Sequence, residues 1–197
     1  MVLRKVCTGE YHGAVIDEAG SVATALELIR QRRPDVILLD IGLPDADGFE
    51  VVEAASRIVP PPRVLVISAY INEYILSRCE KLRVHGFVDK DTGTVAALKG
   101  ALAAVAQART YFSPKFAADR RNWRADPCAY EKRLSDTQQQ VLSLIARGLS
   151  DEEIAIQRGI ATKTAEHHRT DILRRLGIHG TPKLIVSAIA RGFGKIG

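Results

Sequence analysis

Cysteine is scarce: three residues, Cys7, Cys79 and Cys128, are scattered through 197 positions. A disulfide or zinc framework needs closely spaced pairs, so neither is expected. No apolar run reaches the ~18–20 residues that span a bilayer. The longest, near Ala96–Ala106, is interrupted by Lys99. The opening Met1–Glu10 carries Arg4, Lys5 and Glu10 without an apolar centre, unlike a secretory leader. A soluble, reduced, cytoplasmic protein with no membrane contact is expected. What is present is ordinary: 46% hydrophobic and 26% charged residues. That composition excludes wholesale disorder, and the length suits one large or two small domains.

Charge is unevenly spread. Residues 1–106 hold 12 Lys/Arg against 14 Asp/Glu, a net of −2, whereas residues 107–197 hold 16 against 9, a net of +7. A polyanionic partner is therefore expected at the back of the chain.

The front half alternates two patterns. Asp35–Asp40, Arg63–Ala69 and Gly86–Lys90 are short apolar runs rich in β-branched residues, suited to parallel strands buried on both faces. Between them lie helical patterns. Ser21 caps a helix through about Arg32, and Phe49–Ile58, Asn72–Leu82 and Thr94–Ala106 repeat the periodicity. Pro60, Pro61 and Pro62 end the second of these. Strand–helix alternation implies right-handed βαβ units in a doubly wound α/β sheet.

Such sheets carry their reactive site at the carboxyl ends of the strands. Asp40, Ser68 and Lys90 each close an apolar run, so the fold gathers them at one edge. A carboxylate accepts a phosphoryl group as an acyl phosphate, and a hydroxyl and an ammonium bind its oxygens. Taken singly, a strand-ending Asp or Lys is usually a solvated terminus. The constellation carries more.

The run Pro34-Asp35-Val-Ile-Leu-Leu-Asp40-Ile-Gly-Leu-Pro44-Asp-Ala-Asp47-Gly48, with Val-Ile-Ser68-Ala69 and Gly86-Phe87-Val-Asp-Lys90, resembles the receiver domain of two-component response regulators. The resemblance implies a flavodoxin-like receiver over residues 1–106. It also implies Asp40 as phosphoacceptor, Asp40 and the Gly42 carbonyl as Mg²⁺ ligands, Ser68 and Phe87 as switch residues, and Lys90 as the phosphate-binding lysine. Mg²⁺ is expected only if the receiver is complete, and a sensor histidine kinase is the partner it implies. One departure is serious. Receivers open with an apolar strand ending in paired acids. Here Met1–Cys7 resembles the end of the first helix and Ala14–Glu18 the second strand, with no acidic pair before them. N-terminal shortening is the favoured account; the alternative makes Val2–Val6 a substitute strand.

Residues 107–133 read as a linker with 7 Lys/Arg against 3 acids. Trp123 lies there between arginines; packing onto a domain is preferred over stacking on a base. From Leu134 the chain reads as helical: Ser135 or Asp136 to Arg147, Ser150 to about Arg158 with Glu153 completing a capping box, Thr162–Leu176, and Pro182–Arg191. The two helices about Gly159-Ile160-Ala161 form a helix-turn-helix, whose second member enters a major groove.

The wording Leu134-Ser135…Gly148-Leu149-Ser150-Asp-Glu-Glu153-Ile154-Ala155 and Lys163-Thr164-Ala-Glu-His-His168-Arg169…Leu176-Gly177 resembles the LuxR-type DNA-binding domain. With the receiver this is the NarL/FixJ class of response regulators. The resemblance implies an all-α four-helix domain over 134–197 that binds double-stranded DNA as a homodimer. It makes Lys163, Thr164, His168, Arg169, Arg174 and Arg175 contacts mainly to phosphate, and Glu166, His167 and Thr170 base-facing. Equally, Glu166 forms an ion pair with Arg169. Leu184, Ile185, Ala188 and Ile189 match the dimerisation helix, unless that face only closes the bundle. The domain is only +3, so modest phosphate affinity is expected.

The leading expectation is a two-domain transcription regulator switched by phosphorylation of Asp40. The alternative is a phosphorylation-independent regulator whose degenerate receiver serves as a dimerisation scaffold. An aspartyl-phosphate phosphohydrolase is disfavoured, because Gly42 stands where those enzymes carry a second Asp as general acid.

Overall fold

The computed structural model describes residues 4, 6–7, 13–43, 47–91 and 93–194. Two compact units result, one reaching to Ile71 and including Arg78–Asp119, the other built from Asn72–Ser77 and from Arg120 onward.

In the first unit, four parallel strands lie in the order β1-β2-β3-β4: Val36–Asp40, Arg63–Ser68, Gly86–Asp89 and Tyr111–Phe112. Side-chain alternation divides the strands between two layers. Leu65, Ile67 and Val88 face helix α4 (Val95–Ala106), joined there by Leu98, Ala101, Leu102, Val105 and Val6. Val64, Val66 and Phe87 are buried on the other face. Helices α1 (Val22–Arg32) and α2 (Phe49–Ala55), with the part of α3 (Glu73–Lys81) from Arg78 onward, complete the α/β pattern of this unit.

Local chemistry sets the helix ends. The Thr24 amide donates to Ser21 Oγ at 3.1 Å, and the Ala97 amide to Thr94 Oγ1 at 3.1 Å. Helix α1 stops on Arg33, whose φ of 47° is left-handed. A side chain there costs about 1–2 kcal/mol against glycine.

Three expectations are corrected. First, Ala14–Asp17 is no strand: it carries no sheet pairing and Val15 is 87% exposed. Without a neighbour to hydrogen-bond, its backbone stays solvated, and among the described residues β1 is paired only with β2. Second, Arg4, Val6 and Cys7 are helical rather than part of a substitute strand; Met1–Leu3 and Lys5 lie outside the described residues. Third, 107–133 is not an open linker. Tyr111 and Phe112 extend the sheet beside Gly86 and Phe87, and Pro114–Ala125 forms helix α5. The first unit thus runs past residue 106 to Asp119. Trp123 is only 8% exposed, as the packing reading expects, which removes it from base stacking.

The second unit is helical: α6 Tyr130–Arg133, α7 Asp136–Ala146, α8 Asp151–Arg158, α9 Thr162–Leu176 and α10 Thr181–Ala190. Ser135 with Gln138 and Ser150 with Glu153 make full capping boxes. Gly159 and Gly177, at φ 64° and 69°, end α8 and α9 in the left-handed conformation that glycine adopts without steric cost. Val141, Leu142, Ile145, Ile154, Ile172 and Leu184 form the centre, each fully buried. Among the described residues no helix is long and apolar enough to cross a membrane.

Candidate phosphoacceptor pocket and DNA-reading helix

Parallel pairing sets the pocket. Asp40 sits beside Ile67, and Ser68 beside Asp89, so the ends of β1, β2 and β3 lie level. Lys90 follows β3 directly, its amide donating to the Ser68 carbonyl at 2.9 Å. Its ammonium bonds Asp40 Oδ2, while the Gly42 amide donates to Asp40 Oδ1 at 3.1 Å. Both sequence-predicted charges therefore meet. Ser68 is buried and its Oγ accepts from the Tyr70 amide at 3.0 Å. Asp47 lies outside this group, its Oδ1 accepting from the Phe49 amide at 2.9 Å; Pro44–Ala46 of the same motif lie outside the described residues.

Phe87 is fully buried, and a ring that the sequence reading missed explains why. Phe116 stacks on it at 4.3 Å between centroids and 23° between planes, and Phe112 stacks on Phe116 at 5.4 Å. Nearby, Lys115 Nζ lies 3.5 Å from Asp89 Oδ2, a carboxylate with no exposed surface. The start of α5 is thereby tied to the strand that carries Phe87.

Magnesium takes six oxygen ligands and is usually held through one or two carboxylates, with waters and phosphate completing the shell. The described residues offer Asp40 and the Gly42 carbonyl, and the carboxylate already carries Lys90. Asp17 and Glu18 are engaged elsewhere, with Arg32 at 3.6 Å and Arg4 at 3.1 Å. No group of three His, Cys, Asp or Glu converges among the described residues. This donor set does not fit the metal that the resemblance implies.

On α9, Ala165, Ile172 and Leu176 face inward. Lys163, Thr164, Glu166, His167, Thr170, Arg174 and Arg175 are exposed and His168 is half-buried, so the predicted contact face exists. Several of its charges are already matched. Lys163 meets Glu166 at 3.2 Å, so Glu166 pairs one turn back rather than with Arg169. Arg174 donates to Asp171 at 2.7 Å, a bond that holds the Asp171 carboxyl below its usual range. His167 Nε2 stands 3.9 Å from the same carboxylate. Arg175 Nη1 donates to the Arg133 carbonyl at 3.4 Å.

Arg169 plays a different part from the one expected. Its Nε donates to Asp151 Oδ1 at 2.9 Å and its Nη2 to the Leu149 carbonyl at 3.3 Å, with the side chain 15% exposed. It clamps α9 to the first turn of α8 and is no longer a free phosphate contact. Of the predicted dimerisation residues, Leu184 and Ala188 are fully buried inside the bundle. They close the core and cannot meet a partner. Ile185 is half-buried, and the outward apolar surface of α10 is Ile189 with Val186, which is 69% exposed and which the sequence reading did not single out.

Residues 1–102 match the family described as response regulator receiver domain, and residues 132–188 match the bacterial regulatory proteins of the luxR family. The chain belongs to the LuxR-type response regulators. It is 32% identical to the transcriptional regulatory protein MctR of Rhizobium johnstonii, over 92% of this chain and 83% of that protein. It is 30% identical to the transcription regulator BvgA of Bordetella pertussis, over 87% of this chain and 82% of that one. In fold it resembles RcsB of Salmonella enterica serovar Typhimurium bound to promoter rprA with a phosphomimetic. That likeness has a TM-score of 0.70 at 24% identity, covering 93% of this chain and 89% of RcsB. As a response regulator, the chain joins a receiver fold to a helix-turn-helix of the LuxR type.

Proposed function

We propose that this response regulator binds double-stranded DNA as a homodimer through α9 and regulates transcription, with Asp40 as the phosphoacceptor of its input. The observation that carries the reading is the solvent-facing side of α9, held in place by the Arg169–Asp151 clamp. A positioned polar helix with cations at both ends is what a major groove admits, and phosphate contacts set its register. RcsB dimers bound to DNA supply the structural precedent. With Lys163 and Arg174 already carrying acid partners, a single copy binds weakly, and two copies on paired half-sites raise affinity through effective concentration. The protein acts in the cytoplasm, where DNA and a histidine kinase partner are found. It has no phosphoesterase turnover of its own, since Gly42 replaces the second acid of such enzymes.

At the pocket, Lys90 balances the charge of Asp40 and would bind an added phosphoryl oxygen. A second reading is favoured by one observation: among the described residues no group of three His, Cys, Asp or Glu converges that could hold a metal beside Asp40. In that case the receiver is a scaffold and the DNA-binding state does not depend on phosphate. Gel-shift titration of fragments from the source genome tests both. Binding that tightens after treatment with a small-molecule phosphodonor, and loses that response in Asp40→Asn, supports the first reading. Binding indifferent to both establishes the scaffold. No shift of any fragment at low salt overturns the DNA-binding proposal.

A further inference from the structure

In the first unit, Ile29, Arg30, Arg33, Arg57, Ile58 and Val59 line a cleft of about 570 Å³. That lies within the ~300–1,000 Å³ range of small-molecule sites. Three of its six lining residues are arginines and none is an acid. All three guanidinium groups are on exposed residues, and among the described residues none has an ion-pair partner. The nearby acid Asp17 is engaged with Arg32 instead.

The plain role of such arginines is to face the carbonyl ends of helices, since Arg30 lies in the last turn of α1 and Arg57 just beyond the C-cap of α2. Each helix end carries roughly half a negative charge, so two ends offset about one of the three positive charges. About two remain unmatched. Arg33 strengthens the case, because it occupies a left-handed position, φ 47°, where glycine is the unstrained choice. What an arginine adds at that position is its side chain, and Arg33 is one of the residues lining the cleft. Beside the cations the lining holds Ile29, which is buried, and Val59, which is 84% exposed.

We propose that this cleft binds a small phosphate compound of about two to three negative charges, a phosphate monoester or diphosphate bearing an apolar or aromatic group, through Arg30, Arg33 and Arg57. Guanidinium forks match phosphate oxygens in pairs, and their flat faces stack on rings. Three guanidinium groups with about two unmatched charges favour a ligand of about two to three negative charges, and the apolar residues of the lining accept the organic part.

Calorimetric titration of the full chain with ADP and with inorganic pyrophosphate, at low salt, tests this. ADP is expected to bind at sub-millimolar concentration. Arg30→Gln with Arg57→Gln should weaken binding by about tenfold or more, as should Arg33→Gly alone. Arg33→Gly is the decisive variant: it removes the guanidinium while relieving the backbone, so affinity falls and the melting temperature does not. Arg174→Gln with Arg175→Gln, on α9, should leave ADP binding unchanged. The proposal is overturned if neither probe binds at millimolar concentration, or if wild type and cleft variants bind alike. It is also overturned if vesicles of anionic phospholipid bind through these arginines and neither probe competes, since the cleft is then a lipid-facing patch.

Discussion

Strand β1 and helix α9 each carry residues on which one half of the molecule's chemistry rests, and they are supported differently. Asp40 ends a strand whose residues Val36, Ile37 and Leu38 are only half-buried and which pairs with β2 alone among the described residues. Helix α9 is anchored by Ala165, Ile172 and Leu176, stopped by Gly177 and clamped by Arg169. A helix satisfies its backbone internally and needs only an apolar stripe against its neighbours. A strand of a parallel sheet needs a neighbour supplied from far along the chain. The output element is therefore completed by nearby sequence, and the input element depends on sequence elsewhere.

The strongest way to break this contrast is to remove equivalent bulk from each. Ile172 is fully buried, so Ile172→Ala should cost about 2–5 kcal/mol and abolish the DNA shift. Ile37→Ala, on the half-buried edge strand, should cost about 1 kcal/mol. Urea denaturation of the two variants compares them directly. Equal costs would mean that β1 is as firmly packed as α9.

The same contrast governs what could be read from sequence. The capping pair Ser150–Glu153 and the stop at Gly159 are local signals, and both stand in the structure as expected. Asp40, Ser68 and Lys90 were legible because each closes an apolar run, and the parallel register then levels them. What stayed hidden rests on contacts between distant residues. Tyr111–Phe112 is too short for side-chain alternation to reveal a strand, and Phe116 gains its meaning only against Phe87. Ala14–Ile16 has the apolar content of a strand, but among the described residues no strand pairs with it. Arg169 resembles a phosphate contact until Asp151, eighteen positions away, takes its guanidinium.

That clamp gives the next largest effect. Arg169→Ala removes charged hydrogen bonds to Asp151 and Leu149 and should cost about 1–2 kcal/mol, with weaker DNA binding. Paired with Asp151→Ala in a double-mutant cycle, it should show a coupling of about 1 kcal/mol in denaturation midpoints. Additive losses would return Arg169 to the role of a plain phosphate contact.

A smaller effect lies in the sheet. The Val64 amide donates to His85 Nδ1 at 3.1 Å, which requires an unprotonated ring nitrogen. Burial, then the Arg63 charge, push the His85 pKa below its ordinary 6.5. The unfolded chain takes up a proton near that value while the folded chain resists. Stability is therefore full above about pH 6.5, falls as the pH drops toward the folded pKa, and levels off beneath it. His85→Gln should flatten that slope in melting temperatures measured between pH 5 and 8.

The smallest expected change in stability is at the pocket itself. The Asp40 and Lys90 side chains are 36% and 40% exposed, so water screens their pairing. Asp40→Asn should alter stability by less than about 0.5 kcal/mol in urea denaturation. That small value is what makes the variant useful: an intact fold that no longer answers a phosphodonor isolates the chemistry of one carboxylate. A loss of about 2 kcal/mol would instead show the Lys90–Asp40 pair holding the edge of the sheet together. Asp40 would then belong to the scaffold of the input unit, and the contrast with α9 would rest on a structural residue rather than a reactive one.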